Sequence, residues 1–332
     1  MKILVVTQQH SGVGYHRLML PVYFMKKTYA LFTDVLSEDN LKEGFDILLI
    51  NRFVHGEDAS RVLELKEKYG FRLIVDVDDF WILDPWHILH DVYPTQKVID
   101  HIKIADVVTC THERLAAEIR PLNPNVEILP NALPFGEDQF TDVRTESEKF
   151  RFVYAGSITH QKDLELLRNP LKRLASDPFS KKLEFVLCGY NPEEKLHINV
   201  WHSMIRDFTC AFRLGFTRAT LPTTEYMNFY NDADATIVPL IGSKFNSMKS
   251  NLKLLEAAAK KIPVIASNVQ PYDDAPHILK VTKQTEWFPA IKKIASDYIY
   301  SKEMGQANFE WANEHFNLLK INEKRRQIYA GD

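Results

Sequence analysis

Apolar residues along this chain come in short compact runs, not in strict alternation with polar ones. In the first half such runs lie at 3–6, 47–50, 73–77, 107–110 and 126–129. Runs of this length bounded by polar residues read as strands buried on both faces. Between them, residues 59–69 and 113–119 place apolar side chains at helical spacing. Strands alternating with helices predict βαβ units and a parallel sheet. Periodicity then stops: Pro130 and Pro134 lead into a charged stretch, 136–149, that reads as a linker. The pattern restarts with apolar runs at 150–155, 183–187 and 234–240, with helices predicted near 164–174 and at 226–230. Residues 244–267, KFNSMKSNLKLLEAAAKKIPVIAS, predict a loop, a short helix capped by Ser250 or Asn251, and a strand opening at Pro263. The tail, 287–329, is helical and rich in Phe, Trp and Lys. The pattern therefore predicts two α/β domains, 1–140 and 141–305, followed by a C-terminal helix within 306–332.

Composition changes this picture little. The chain has 332 residues, enough for two separate cores, with 45% hydrophobic and 26% charged residues. A net charge of −3 gives no global attraction to nucleic acid, although 244–261 is locally basic. Cys110, Cys188 and Cys210 are odd in number and lie in apolar surroundings, so they read as reduced, buried thiols of a cytoplasmic protein. The N-terminal apolar run turns polar at once and reads as a first strand, not a signal peptide. No apolar stretch approaches the ~20 residues that span a membrane. The basic run 320–326 reads as a solvated helix end, with a membrane-surface contact as the alternative.

In parallel sheets, ligands gather where strands end at their carboxyl side, which directs attention to the residues after each strand. After the first come Gly12 and Gly14, with His16 and Arg17. The third glycine of a dinucleotide fingerprint is missing, and Arg17 and His16 either meet a ligand or fix the loop. After the third come Asp76, Asp78 and Asp79, a set able to hold a metal, act as a general base or cap the next helix. His112 follows the fourth, while Trp81, Trp86 and Tyr93 could floor an acceptor site. In the second half a glycine turn, Gly156-Ser157, precedes Lys162 at a helix start, a place suited to phosphate. Lys249, Lys253, Glu256 and Lys260 share one helical face: lysines beside a helix N-terminus attract phosphate, and Glu256 could accept hydrogen bonds from a ribose diol. The same spacing also fits a solvated Lys/Glu face.

The 244–267 stretch resembles the nucleotide-sugar-binding element of GT-B fold glycosyltransferases, above all the retaining, GT4-like (glycosyl transferases group 1) family, whose motif runs E-x7-E into a PVIAS-like strand. Glu256 matches the second glutamate, which in the family holds the ribose, and Met248 stands where the first would be. The family's G-R-x4-K is matched at Lys162, with Ser157 in place of the arginine and Lys249 as a substitute charge. Gly12, Gly14 and Arg17 resemble the family's Gly-rich loop, and Gly215-Phe216-Thr217 its base-stacking segment. Pro130-Asn131-Ala132 resembles its interdomain turn. The resemblance implies an α/β GT-B architecture: two Rossmann-like domains facing across a cleft, with the C-terminal helix crossing back. It implies a metal-independent, retaining hexosyltransferase that needs no cofactor and takes a UDP-sugar as co-substrate. Lys162, Lys249 and the Ser250-Asn251 helix start would stabilise the departing diphosphate, with Asp78 and Asp79 on the acceptor side. The acceptor is open among a glycan, a lipid-linked saccharide, a protein and a nucleic-acid base. Three other readings stand beside it. One is a metal-dependent, GT-A-like transferase with manganese on Asp76 and Asp78; the others are a nucleotide-sugar epimerase and a nucleotide-sugar-binding module without turnover.

Overall fold

Each of the apolar runs forms a strand in the computed structural model, which describes residues 1–8 and 10–331. Gln9, in the glycine-bearing stretch, and Asp332 lie outside the described residues. The chain divides into two compact units. The first holds Met1–Ala132, Met248–Ser250 and the residues from Phe316 on; the second holds Leu133–Ser247 and Asn251–His315.

The first unit is built on a six-stranded sheet of β1 (Lys2–Val6), β2 (Tyr29–Thr33), β3 (Ile47–Asn51), β4 (Arg72–Val77), β5 (Val107–Cys110) and β6 (Val126–Ile128). The strands lie in the order β2-β1-β3-β4-β5-β6, every neighbour parallel. The second unit repeats the architecture with β7 (Phe150–Ala155), β8 (Leu183–Tyr190), β9 (Gly215–Ala219), β10 (Ala235–Val238), β11 (Val264–Ser267) and β12 (Leu279–Val281). Its order, β12-β11-β10-β7-β8-β9, again all parallel, is that of dinucleotide-binding folds.

Central strands are buried along nearly their whole length because helices cover both faces. Ile3, Val5, Leu18, Ile47, Leu49 and Ile74 pack in the first core, and Phe152, Phe185, Leu187, Ile237, Ile265 and Trp287 in the second. The strands that the pattern does not predict, β2, β9 and β12, are edges with mixed composition and mostly part-buried side chains. The helix expected near 164–174 is two, Gln161–Glu165 and Arg168–Ala175, and residues 226–230 lie in a 3-10 segment, Thr223–Tyr230.

The tail is also two helices. Tyr298–His315 runs through residue 306 without a break and stays with the second unit, where Asn308 Nδ2 donates to the Leu254 carbonyl at 3.1 Å. Leu318–Ala330 belongs to the first unit. Asn317 caps its start by accepting from the Leu319 N–H at 3.0 Å, and Gly331, at φ 85, ends it. Tyr329 enters the first core, and Asn322 Nδ2 donates to the Pro21 carbonyl at 2.9 Å. No helix among the described residues is long and apolar enough to cross a membrane. The three cysteines are free; burial pushes the Cys110 and Cys188 thiols up to about 12 and Cys210 to about 11.

Gly305, inside the Tyr298–His315 helix, tests how tightly that helix seats. Alanine is the better helix former by ~1 kcal/mol, but its Cβ would lie 2.2 Å from the Lys261 carbonyl oxygen. Gly305→Ala is therefore expected to lower stability by about 1–3 kcal/mol in urea denaturation. An increase would show that the contact is loose.

Candidate functional site

A parallel sheet places its crevice where successive connections depart to opposite sides. In the first unit that point lies between β1 and β3. The carboxyl ends of these strands, with Ser11, Asp34, Phe53 and His55, line a cavity of about 40 Å³. The stretch after β1 is not the expected loop. Ser11 accepts from the Gly14 N–H at 3.4 Å and starts a helix at Gly12, which continues through a π turn, Tyr15–Met19, to Tyr23. A Cβ at Gly14 would lie 2.3 Å from Thr7 Oγ1, so glycine there lets the helix close onto the end of β1, whereas Gly12 faces open space. The π turn carries His16 and Arg17 inward.

Arg17 is 2% exposed. Nε and Nη2 form a fork on Asp76 at 2.9 and 2.7 Å, and Nη1 donates to the Leu129 carbonyl at 2.8 Å and to Asn131 Oδ1 at 3.0 Å. Thr109 Oγ1 donates to Asp76 Oδ2 at 2.7 Å. Burial opposes the Arg17 charge, yet Asp76 holds its pKa above the ordinary value. A second fork lies beside the first: Arg52, whose backbone is left-handed at φ 60, donates to Asp78 at 2.8 and 3.1 Å and to Tyr93 Oη at 2.9 Å. Burial pushes the Asp78 pKa up, but Arg52 and Asn51 carry it below the usual carboxylate range. Both carboxylates expected to bind manganese are thus held by guanidinium groups and do not fit a metal site as they stand. Asp78 is likewise engaged where a general base was expected. Asp79 is partly exposed, 3.5 Å from Lys249 Nζ.

His112 caps the helix Glu113–Ile119, with Nδ1 accepting from the Leu115 N–H at 3.2 Å. That acceptor role leaves the proton on Nε2, which donates to the Met248 and Lys249 carbonyls at 2.9 and 3.2 Å. Burial lowers the His112 pKa, so the ring is neutral near pH 7. Asn131 Nδ2 donates to Ser250 Oγ at 2.5 Å. Met248, Lys249 and Ser250 are thereby fixed within the first unit. Of the expected acceptor aromatics, Trp81 is buried, Trp86 is half exposed and Tyr93 serves Arg52.

In the second unit the corresponding point lies between β7 and β10. Asp163 organises it: Oδ1 accepts from the Ile241 N–H at 2.8 Å and Asn246 Nδ2 at 3.2 Å, and Oδ2 pairs with His160 Nδ1 at 2.8 Å. Lys162, the neighbouring residue, points outward, 48% exposed, and pairs with Glu165 at 3.3 Å. Ser157 Oγ lies 2.6 Å from Thr159 Oγ1. Asn251 is the N-cap of Leu252–Ala259 but makes no capping bond through its side chain.

The expected solvated Lys/Glu face is largely buried. Glu256 is 2% exposed and accepts from Tyr230 Oη at 2.6 Å; burial raises its pKa, Lys253 and Tyr230 opposing. Lys253 donates to the Ala155 carbonyl at the end of β7 and lies over the Tyr154 ring. Gly215 and Phe216 lie in edge strand β9. A Cβ at Gly215 would overlap the Phe185 carbonyl, at 1.8 Å, so glycine is needed for pairing with β8. The Phe216 ring lies 5.5 and 5.4 Å from the Arg151 and Arg218 guanidinium groups, both of which bond Asp232. Sequence reasoning missed Arg52, Asn131, Thr109, Asp163 and Tyr230. Arg52 directly follows β3, a position that an inspection of every strand end would reach, and Asp163 directly follows Lys162 in the helix after β7.

Residues 149–297 match the family described as Glycosyl transferases group 1. No curated protein matches the chain. Among solved structures, sucrose-phosphate synthase from Thermosynechococcus elongatus aligns over 100% of this chain and 98% of its own, with TM-score 0.72 and 13% identity. Anabaena HepE, solved with UDP-glucose, aligns over 100% of both chains with TM-score 0.71 and 11% identity. Staphylococcal TarM aligns over 93% of this chain and 58% of its own, with TM-score 0.62 and 14% identity.

Breaking the Arg17–Asp76 fork from one side leaves a buried charge unmatched. Arg17→Met is expected to cost about 3–5 kcal/mol in denaturant unfolding, and Arg17→Met with Asp76→Leu to recover most of it. Additive losses would refute coupling. Burial also lowers the pKa of His55 and His101. With all three histidines below the ordinary value, the unfolded chain takes up protons first as pH falls. Their contribution is complete above pH ~6.5 and is lost below it. The melting temperature should fall between pH 7.5 and 5.5, and less so in His112→Asn, which retains a helix cap without a titrating ring.

Proposed function

We propose that this chain, whose residues 149–297 match glycosyl transferases group 1, is a GT-B fold glycosyltransferase that transfers a hexose from a UDP-sugar to a hydroxyl-bearing acceptor. The observation that carries this reading is the family match itself, which covers Ser157 and Lys162 after β7, Phe216 in β9 and Glu256 in the helix before β11. HepE, solved with UDP, with UDP-glucose and with UDP and glucose, supports the choice of donor.

The hard step is departure of UDP with its diphosphate charge. Lys162 suits that charge: its bond to Glu165 is a partly exposed i,i+3 pair, a type worth only ~0–1 kcal/mol, and exchange for phosphate costs little. Lys249, beside Asp79, is the second cation assigned to the diphosphate. Glu256 is assigned to the ribose. Tyr230 occupies Oε2, and among the described residues Oε1 has no partner and remains for a hydroxyl. No metal is assigned, since Asp76 and Asp78 are already forked by arginines. Retention of anomeric configuration and the placing of Asp79 on the acceptor side rest on the resemblance. A binding module without turnover is the second reading, favoured by Met248, an apolar side chain where the family has a carboxylate facing the sugar.

Incubation with a panel of UDP-sugars, with UDP release as readout, tests both readings. The proposal expects UDP release that survives EDTA. Lys162→Ala and Lys249→Ala should each lower it by about two orders of magnitude, the usual effect of removing one electrostatic contact to a developing charge. Calorimetric UDP binding with no release from any sugar would favour the binding module; loss of release in EDTA would overturn metal independence.

A further inference from the structure

The second unit has another polar pocket, at the amino ends of its strands, away from the residues assigned to the donor. Phe150, Asp234 and Pro263, at the starts of β7, β10 and β11, line it together with Lys260 and Arg144. Its volume is about 710 Å³. That is the size of ordinary small-molecule sites and well beyond a bare ion.

Lys260 is the unusual member. It ends the helix Leu252–Ala259 and is only 3% exposed. Among the described residues its Nζ has one partner, the Val143 carbonyl at 3.3 Å, and no carboxylate in ion-pair contact. An ammonium group has three N–H donors, and a buried one without a counter-charge bears a desolvation cost. That cost appears as a pKa pushed down to about 8 by burial, with Asp142 opposing and Arg144 adding to it. Three carboxylates also line the pocket: Lys261 pairs with Asp142 at 2.7 Å, Arg144 Nη2 pairs with Asp234 at 3.2 Å, and Glu146 is exposed to solvent. Arg144 Nε is buried without a partner. Lys302, exposed on the Tyr298–His315 helix, also lines the pocket, and the Ser147 and Ser301 hydroxyls add neutral polar groups.

We propose that this pocket binds a small organic oxyanion, whose phosphate or carboxylate group neutralises Lys260 with Arg144 beside it. The site uses none of the residues assigned to transfer, and the inference stands without that reading.

Calorimetry near pH 7 with pyrophosphate and with citrate as probes tests it and separates phosphate from carboxylate chemistry. In the wild-type protein one site that excess UDP does not displace is expected for at least one probe. Lys260→Met, which keeps the stem and removes the charge, should bind about tenfold more weakly or worse. Lys302→Glu, at an exposed position, should weaken binding several-fold, and it decides the matter if Lys260→Met does not fold. Lys162→Ala should weaken any pyrophosphate site that UDP displaces and leave the Lys260 site intact. Failure of both probes, wild-type affinity in Lys260→Met and Lys302→Glu, or loss of the site in Lys162→Ala would each overturn the proposal.

Discussion

A charge buried at the end of a parallel sheet persists only where an opposite charge and enough hydrogen bonds meet it. In the first unit Arg17 and Asp76 satisfy that condition, and much of the surrounding geometry follows. The fork fixes the inward turn of the helix after β1, because every other course would leave the Asp76 carboxylate in β4 unmatched. The remaining Arg17 donors hold the chain after β6 through the Leu129 carbonyl and Asn131. Asn131 in turn bonds Ser250, and His112 bonds the two carbonyls just before it. Residues 248–250 thus belong to the first unit because polar groups at strand ends demand partners, although their neighbours in sequence belong to the second.

The second unit solves the same problem with neutral donors. Asp163 is buried, and two of its three partners are uncharged N–H groups, from the Ile241 backbone and the Asn246 side chain. These tie the helix after β7 to the loop after β10, the two segments that border the crevice of this strand order. Lys162, next in sequence, is left to solvent. One residue fixes the crevice while its neighbour remains available to a ligand.

The fold was legible in the sequence where burial is two-sided. Strands such as β3 and β4 are continuous apolar runs because helices cover both faces, and the pattern located them to within a residue. Edge strands β2, β9 and β12 lack that requirement and carry mixed side chains, so periodicity does not mark them. Site residue types were legible, but the direction each side chain faces was not. Arg17 reads equally as a ligand-facing cation and as a residue that fixes the loop; the π turn directs it inward, and no hydrophobic pattern encodes a π turn. Gly14 and Gly215 stand in stretches that the resemblance gives to the ligand, yet the space they leave is filled by Thr7 and by the Phe185 backbone. The alternative of a solvated Lys/Glu face fails for a related reason. Spacing fixes which residues share a face but not whether that face meets water, and Glu256 and Lys260 are both nearly inaccessible.

Solvation, more than residue type, therefore separates the roles of the lysines. Lys162 is half exposed, carries a weak surface pair and can approach a phosphate with little to give up. Lys253 is anchored on a strand-end carbonyl and an aromatic ring, an arrangement that orders the crevice from below. Lys260 has lost water without gaining a carboxylate, a state that an incoming anion would relieve. The three lie in one unit, yet their surroundings differ: solvent and a weak pair for Lys162, a carbonyl and a ring for Lys253, and burial without a carboxylate partner for Lys260.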